Sequence, residues 1–281
     1  MFPAKARTGN KALQIMSMPW GGMAFQYHGG EETPLLLLHG TGCDSGDWAG
    51  VARALPPEKS IISMDFRGHG ESDVPRESFT LSDLAGDALS LLAHLRVEKA
   101  VLAGHSLGGM VAMDAAARSD RVAGLVLLEG WTCLDAVSAF GPRHHLGGLA
   151  GDARRDVAAR HEQVISRFAP ETWKRFWSSV SEFSARQFLA AASLPICEVY
   201  GSLDFSADRM ERLAIPSSLR KSIVWVEGAG HYLPREKPLE VAGICRDFMC
   251  KQGFWKKPRV ASPCSGTKGW CGARLRASMP G

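Results

Sequence analysis

Apolar residues in this chain fall into short unbroken runs, separated by stretches with helical spacing. Residues 34–39, 60–66, 100–103 and 122–128 are such runs, the pattern of strands buried on both faces. Residues 196–200 and 223–226 read as two further strands. Leu81, Leu84, Ala85, Ala88, Leu91, Leu92 and Leu95 recur at helical intervals and predict an amphipathic helix. Residues 108–118 predict a helix of small side chains, and 238–249 a closing helix. Earlier in the chain, 13–27 is broken by Pro19-Trp20-Gly21-Gly22, which is turn chemistry between two extended arms and predicts a β-hairpin. Strands alternating with helices imply a mostly parallel central sheet flanked by helices on both faces, an α/β architecture. In such sheets reactive groups belong in loops at the carboxyl ends of the strands.

The alternation breaks between 131 and 193, which is strand-poor and helix-rich. We read it as a helical cap inserted into a core made of 12–130 and 194–250. Within it, Trp173, Phe176, Trp177, Val180 and Phe183 lie at helical spacing. These aromatics either fasten the cap to the body or line an apolar substrate cavity. Trp48, Trp131, Trp173 and Trp177 are the candidate pocket side chains.

Charge changes the picture at one end only. The chain has 281 residues and a formal charge of +4, but seven of its basic residues and no acidic ones lie in 251–281. Residues 1–250 hold 26 basic and 29 acidic groups, so the body is mildly acidic and no nucleic-acid partner is expected. The tail 251–281 is rich in Gly, Pro and Ser without periodicity and is expected to be disordered or loosely docked. No run approaches the ~20 apolar residues of a membrane span. Residues 1–11 carry basic groups but no apolar signal core, so no secretion signal is expected. The seven cysteines form no CxxC pair and no zinc-type cluster with histidine, so we expect no metal and a reducing, cytoplasmic setting.

Gly104-His105-Ser106-Leu107-Gly108 follows a predicted strand and opens a predicted helix. A serine on so tight a turn projects its Oγ into a cleft, and glycines two positions either side remove side chains that would collide. Serine needs a base to take its proton. Of nine histidines, His231 follows the last predicted strand through Glu227-Gly228-Ala229-Gly230 and can reach back over the sheet edge. His105 adjoins the serine and should point away from it. The base in turn needs an acid to hold its tautomer. Asp204, directly after the strand at 196–200, is the favoured candidate. Glu129, ending the strand at 122–128, is its competitor, and Asp208 a third. The oxyanion donors are assigned to the Leu107 N–H, at a helix start, and the Thr41 N–H, in the loop His39-Gly40-Thr41-Gly42.

Five stretches together resemble the α/β-hydrolase superfamily, in its serine esterase and lipase branch: His39 to Gly42, Asp65-Phe66-Arg67-Gly68-His69-Gly70-Glu71-Ser72, Gly104 to Gly109, Gly201 to Asp204, and Gly230-His231. The resemblance covers roughly 14–249 and follows the order Ser, Asp, His. It implies the α/β-hydrolase fold and a serine carboxylesterase acting on a small-molecule ester through an acyl-enzyme, with no cofactor. The segment 65–72 resembles the superfamily's sharp turn after the second parallel strand and is read as structural. The serine at the elbow argues against the dehalogenases and epoxide hydrolases of the superfamily, which carry aspartate there. A C–C bond hydrolase, a lactonase, a cofactor-free haloperoxidase and a hydrolase-like small-molecule binding module are the alternatives.

Overall fold

The computed structural model describes residues 12–257. Its strands are β1 (Gln14–Met18), β2 (Gly21–His28), β3 (Leu35–Leu38), β4 (Ile61–Met64), β5 (Ala100–His105), β6 (Val122–Leu128), β7 (Ile196–Gly201) and β8 (Val224–Val226). They form one eight-stranded sheet in the order β1-β2-β4-β3-β5-β6-β7-β8. The hairpin β1–β2 is antiparallel and β2 pairs antiparallel with β4, while every later pairing is parallel. The helices are α1 (Ala49–Ala54), α2 (Leu81–His94), α3 (Leu107–Arg118), α4 (His144–Gly147), α5 (Gly151–Ser166), α6 (Pro170–Glu182), α7 (Arg186–Ala191), α8 (Ser217–Arg220), α9 (Leu233–Glu236) and α10 (Pro238–Lys251).

The unbroken apolar runs follow from burial on both faces. Leu36 and Leu38 of β3 point into one core with residues of α2 and α3, while Leu35 and Leu37 point into the other with α1 and α10. β5 and β6 divide in the same way: Leu102, Leu125 and Leu127 face the first core, and Val101, Ala103 and Val126 the second. α2 starts where its sequence says. Thr80 Oγ1 accepts from the Asp83 N–H, and Asp83 returns a bond to the Thr80 N–H at 2.8 Å, a reciprocal cap that satisfies two orphan donors.

The segment between β6 and β7 is helical, holding a 3₁₀ turn (Leu134–Ala139) and α4 to α7. Ion pairs fasten it to the loop after β3. Arg160 of α5 meets Asp47 at 2.6 Å and Asp44 at 3.1 Å, and Arg235 bridges Asp47 at 3.0 Å and Asp156 of α5 at 2.7 Å. The aromatics of α6 form the second fastening. Phe79 packs on Phe168 and Phe176 at 5.7 and 5.1 Å between centroids, and Trp173 stacks on Phe168.

One expectation needs correction here. Trp48 does not line a pocket. It is 1% exposed, in the core with Leu35, Leu37 and Val51, because the 3₁₀ turn Ser45–Trp48 carries its ring under the sheet. The start of the tail is ordered: Trp255 is 2% exposed and donates to the Thr33 carbonyl at 2.9 Å, and the Lys256 N–H reaches Glu32. The expectations for the rest of the tail, from 258 on, and for 1–11 lie outside the described residues. No helix among the described residues is long and apolar enough to cross a membrane.

Candidate active site

The side chains of interest converge where β5, β6 and β8 end. The turn after β5 gives Ser106 φ 52° and ψ −118°, a conformation L-residues rarely hold. Glycine is required beside it. A Cβ on Gly104 would lie 2.2 Å from the Gly108 carbonyl oxygen, so the two limbs of the turn meet at bare backbone. A Cβ on Gly40 would lie 3.2 Å from Ser106 Cβ, which puts the loop after β3 directly against the serine. That loop carries Thr41, and the first residue of α3 is Leu107.

His231 reaches back as its position after β8 allows. Its Nε2 lies 3.0 Å from Ser106 Oγ. Its Nδ1 lies 3.4 Å from Glu129 Oε2. Ser106 is 9% exposed, His231 3% and Glu129 0%. The Trp131 ring stacks on the imidazole of His231 at 4.9 Å between centroids. His105 points away from Oγ, and its Nε2 meets the His231 carbonyl at 2.8 Å. Burial, then the neighbouring His231, push His105 down to about 3, so it stays neutral. His39 also serves the frame. Its Nδ1 donates to the Gly40 carbonyl at 2.7 Å and its Nε2 accepts from the Phe66 N–H at 2.9 Å.

The carboxylate that meets His231 is therefore Glu129, and Asp204 stands elsewhere. The Asp204 side chain accepts from the Arg143 N–H at 2.8 Å, its carbonyl accepts from the Gly141 N–H, and no hydrogen bond or ion pair joins it to His231. The reason is reach. Glu129 follows β6, next to the serine's own strand, and its left-handed backbone (φ 53°) turns the side chain across the end of β7. There Oε1 accepts from the Gly201 N–H at 2.7 Å, leaving Oε2 for the histidines. Asp204 also has a left-handed backbone (φ 60°), which turns its shorter side chain toward 141–143. Asp208, the third candidate, bonds to Ser206 at the surface.

Sequence reasoning missed one participant altogether. His144 of α4 places Nε2 at 2.8 Å from Glu129 Oε2 and Nδ1 at 2.8 Å from the Leu203 carbonyl. Burial pushes Glu129 up, but the hydrogen bonds from His144 and His231 outweigh it and hold the carboxyl below its ordinary 4.5. Burial pushes His144 down, but Glu129 outweighs it and raises the imidazole above its ordinary 6.5. Glu129, His144 and His231 each present an atom of the kind that ligates metals, within 4.8 Å of one another. All three atoms are engaged in the hydrogen bonds just described. Of the predicted pocket residues, Trp131 stacks on His231, while Trp173 and Trp177 are half-buried and pack with Phe176 in the α6 aromatic cluster.

Comparison with known proteins agrees with this architecture. A sequence profile described as "Alpha/beta hydrolase family" matches residues 35–244. The dihydrolipoyllysine-residue acetyltransferase component of the acetoin cleaving system of Pseudomonas putida is 35% identical over 168 residues, 59% of this chain and 41% of that protein. Three mycobacterial relatives, 40% identical over 85 residues, are covered over only 25% of their length, so this chain spans less than half of the first curated relatives it matches. The 3-oxoadipate enol-lactonase 1 of Acinetobacter baylyi is 28% identical over 202 residues, 65% of this chain and 76% of that protein. Among solved structures, the N-acyl homoserine lactonase AidH superposes with a TM-score of 0.69 at 21% identity, over 85% of this chain and 97% of that one. A thermophilic esterase superposes with a TM-score of 0.65 at 20% identity, over 86% and 98%.

Proposed function

Because the chain belongs to the alpha/beta hydrolase family, we propose that it is a serine hydrolase that cleaves carboxylic esters of modest size through an acyl-enzyme intermediate. The observation that carries this reading is the contact of Ser106 Oγ with His231 Nε2 at 3.0 Å, on a strained turn, with a buried carboxylate on the far side of the imidazole.

Ser106 attacks the ester carbonyl as His231 Nε2 accepts its proton. The carbonyl oxygen becomes an oxyanion and is held by the Leu107 and Thr41 N–H groups, the first at the positive end of α3. The C–O bond to the alcohol then breaks, and His231 gives the leaving oxygen its proton. Water enters, loses a proton to His231, attacks the acyl carbonyl and frees the acid, with Ser106 recovering its proton. Glu129 stays ionised and keeps the proton of His231 on Nδ1, so that Nε2 is free to accept.

A lactone is an ester closed on itself, and the same steps open it. That second reading is favoured by the enol-lactonase relative, the curated match whose length this chain covers best among those described here. The test is a p-nitrophenyl ester series from acetate to decanoate run beside γ- and δ-lactones. Ser106→Ala is expected to lose turnover by about 10⁴-fold or more on whichever class is cleaved. Full turnover by that variant removes Ser106 from the chemistry. Absence of rapid labelling of the wild-type protein by a fluorophosphonate favours a hydrolase-like binding module instead.

A further inference from the structure

His144 makes three contacts with the parts of the site. Its Nε2 lies 2.8 Å from Glu129 Oε2 and its Nδ1 2.8 Å from the Leu203 carbonyl. Its own carbonyl accepts from the His231 N–H at 2.9 Å. A carbonyl oxygen only accepts, so Nδ1 carries a proton. An ionised carboxylate only accepts, so Nε2 carries one too. The ring is 3% exposed and stacks face to face on Phe140 at 3.8 Å between centroids, an arrangement that suits a cation.

We propose that His144, supplied by the helical segment between β6 and β7, is a positioning residue for the proton relay: as an imidazolium it fixes the Glu129 carboxylate, and through its carbonyl it fixes the main chain of His231. This rests on reading Ser106, His231 and Glu129 as an acyl-transfer relay. Two consequences follow. The acid and the base come from the sheet, but their alignment depends on a residue of the inserted segment, so the relay is complete only with that segment docked. And the Glu129–His144 pair carries no net charge, so protonated His231 faces a carboxylate whose charge is already balanced by its own partner.

The other charged and titratable groups around His144 are few. Glu236, one helical turn beyond His231, accepts from the Gly230 and Tyr232 N–H groups, and adds negative charge near the ring. Asp204 accepts from the N–H of Arg143, the residue before it in the chain. His145 lies 5.3 Å from the His231 ring. None of these donates to Glu129, so deleting the His144 side chain leaves its site on the carboxylate unfilled.

Two variants separate the contacts. In His144→Asn the amide can replace Nδ1 at the Leu203 carbonyl but does not reach Glu129. In His144→Gln the amide can still donate to Glu129 but carries no charge. For ester turnover, His144→Asn is expected to lower kcat by about 10- to 100-fold, the scale of one hydrogen bond to a charged group, with KM within roughly 3-fold. His144→Gln is expected to keep kcat within about 10-fold but to move the acid limb of the kcat/KM profile up by on the order of one pH unit, because the bare carboxylate favours a protonated relay. If both variants keep wild-type kcat and pH profile while Ser106→Ala is dead, the inference falls and the hydrolase reading stands. If Ser106→Ala is active, the reading itself falls. Nitrogen-15 NMR of the wild-type side chains gives an answer even if neither variant folds. A buried ring protonated on both nitrogens at pH 7 is expected, whereas a neutral His144 overturns the proposal.

Discussion

Replacing Glu129 by glutamine changes one oxygen to an NH₂ group in a site with no spare space, and its effect can be worked out bond by bond. The carboxylate accepts three hydrogen bonds: from the Gly201 N–H at 2.7 Å, His144 Nε2 at 2.8 Å and His231 Nδ1 at 3.4 Å. The Gly201 N–H needs an acceptor, so the remaining amide oxygen takes the Oε1 position and the amide nitrogen the Oε2 position. A donor then faces two donors. His231 relieves the clash by moving its proton to Nε2, the nitrogen that must accept from Ser106. In serine proteases the equivalent change costs about 10⁴ in kcat, or roughly 5.5 kcal/mol of barrier. The 3.4 Å separation makes this contact looser, and a single charged hydrogen bond is worth about 1.5–3 kcal/mol, or about 10- to 10²-fold, so the expected loss lies between about 10- and 10⁴-fold. Asp204→Asn is the matched control. Its carboxylate serves the Arg143 N–H, which an asparagine oxygen can still accept, and asparagine tolerates the left-handed backbone at this position. Its kcat should stay within roughly 3-fold of wild type. The assay is steady-state hydrolysis of a p-nitrophenyl ester by both variants, with fluorophosphonate labelling rates as a second readout. A larger fall for Asp204→Asn than for Glu129→Gln would refute the assignment of the acid.

Two further outcomes bear on the frame around the site. His69 and His105 are buried and held neutral, each pushed down to about 3 by burial first and then by a neighbouring histidine. A depressed folded-state value means that unfolding takes up a proton below the unfolded value near 6.5. Stability should therefore fall with pH from about 6.5 toward 3, by up to about 1.4 kcal/mol per pH unit for each histidine. Urea unfolding at pH 7, 5.5 and 4.5 measures this, and equal stability at all three values would contradict it. In Gly104→Ala the new methyl would sit 2.2 Å from the Gly108 carbonyl oxygen, where only backbone can yield. That overpacking should cost about 1–3 kcal/mol in chemical denaturation and at least 10-fold in kcat. A variant with wild-type values of both would show that the turn does not need its glycine.

The strands, the two-sided core and the Ser106–His231 pair were legible because each rests on local chemistry. A β-strand buried on both faces must be apolar throughout, and β3 and β6 are. A serine between glycines, placed after a strand and before a helix, has few other conformations open to it. The carboxylate that meets His231 was not legible in this way. Glu129 and Asp204 both end strands on the same rim, and both have left-handed backbones. The signal that favours Glu129 is a carboxylate immediately after the wholly apolar β6, the strand next to that of the serine. Trp48 was a candidate for the pocket, yet a single 3₁₀ turn put it under the sheet.

His144 marks the boundary most sharply. Nothing near it in the chain distinguishes it from His145, yet His144 is buried on Glu129 while its neighbour is exposed. Patterning along the chain specifies which faces avoid water, and from that the sheet, its helices and the sharp turn follow. Which carboxylate meets which imidazole depends on side-chain length and on donors such as the Gly201 N–H, contributed from 72 residues away. Those contacts exist only after the chain has closed on itself, because a hydrogen bond is set by angstroms in space and not by spacing in sequence.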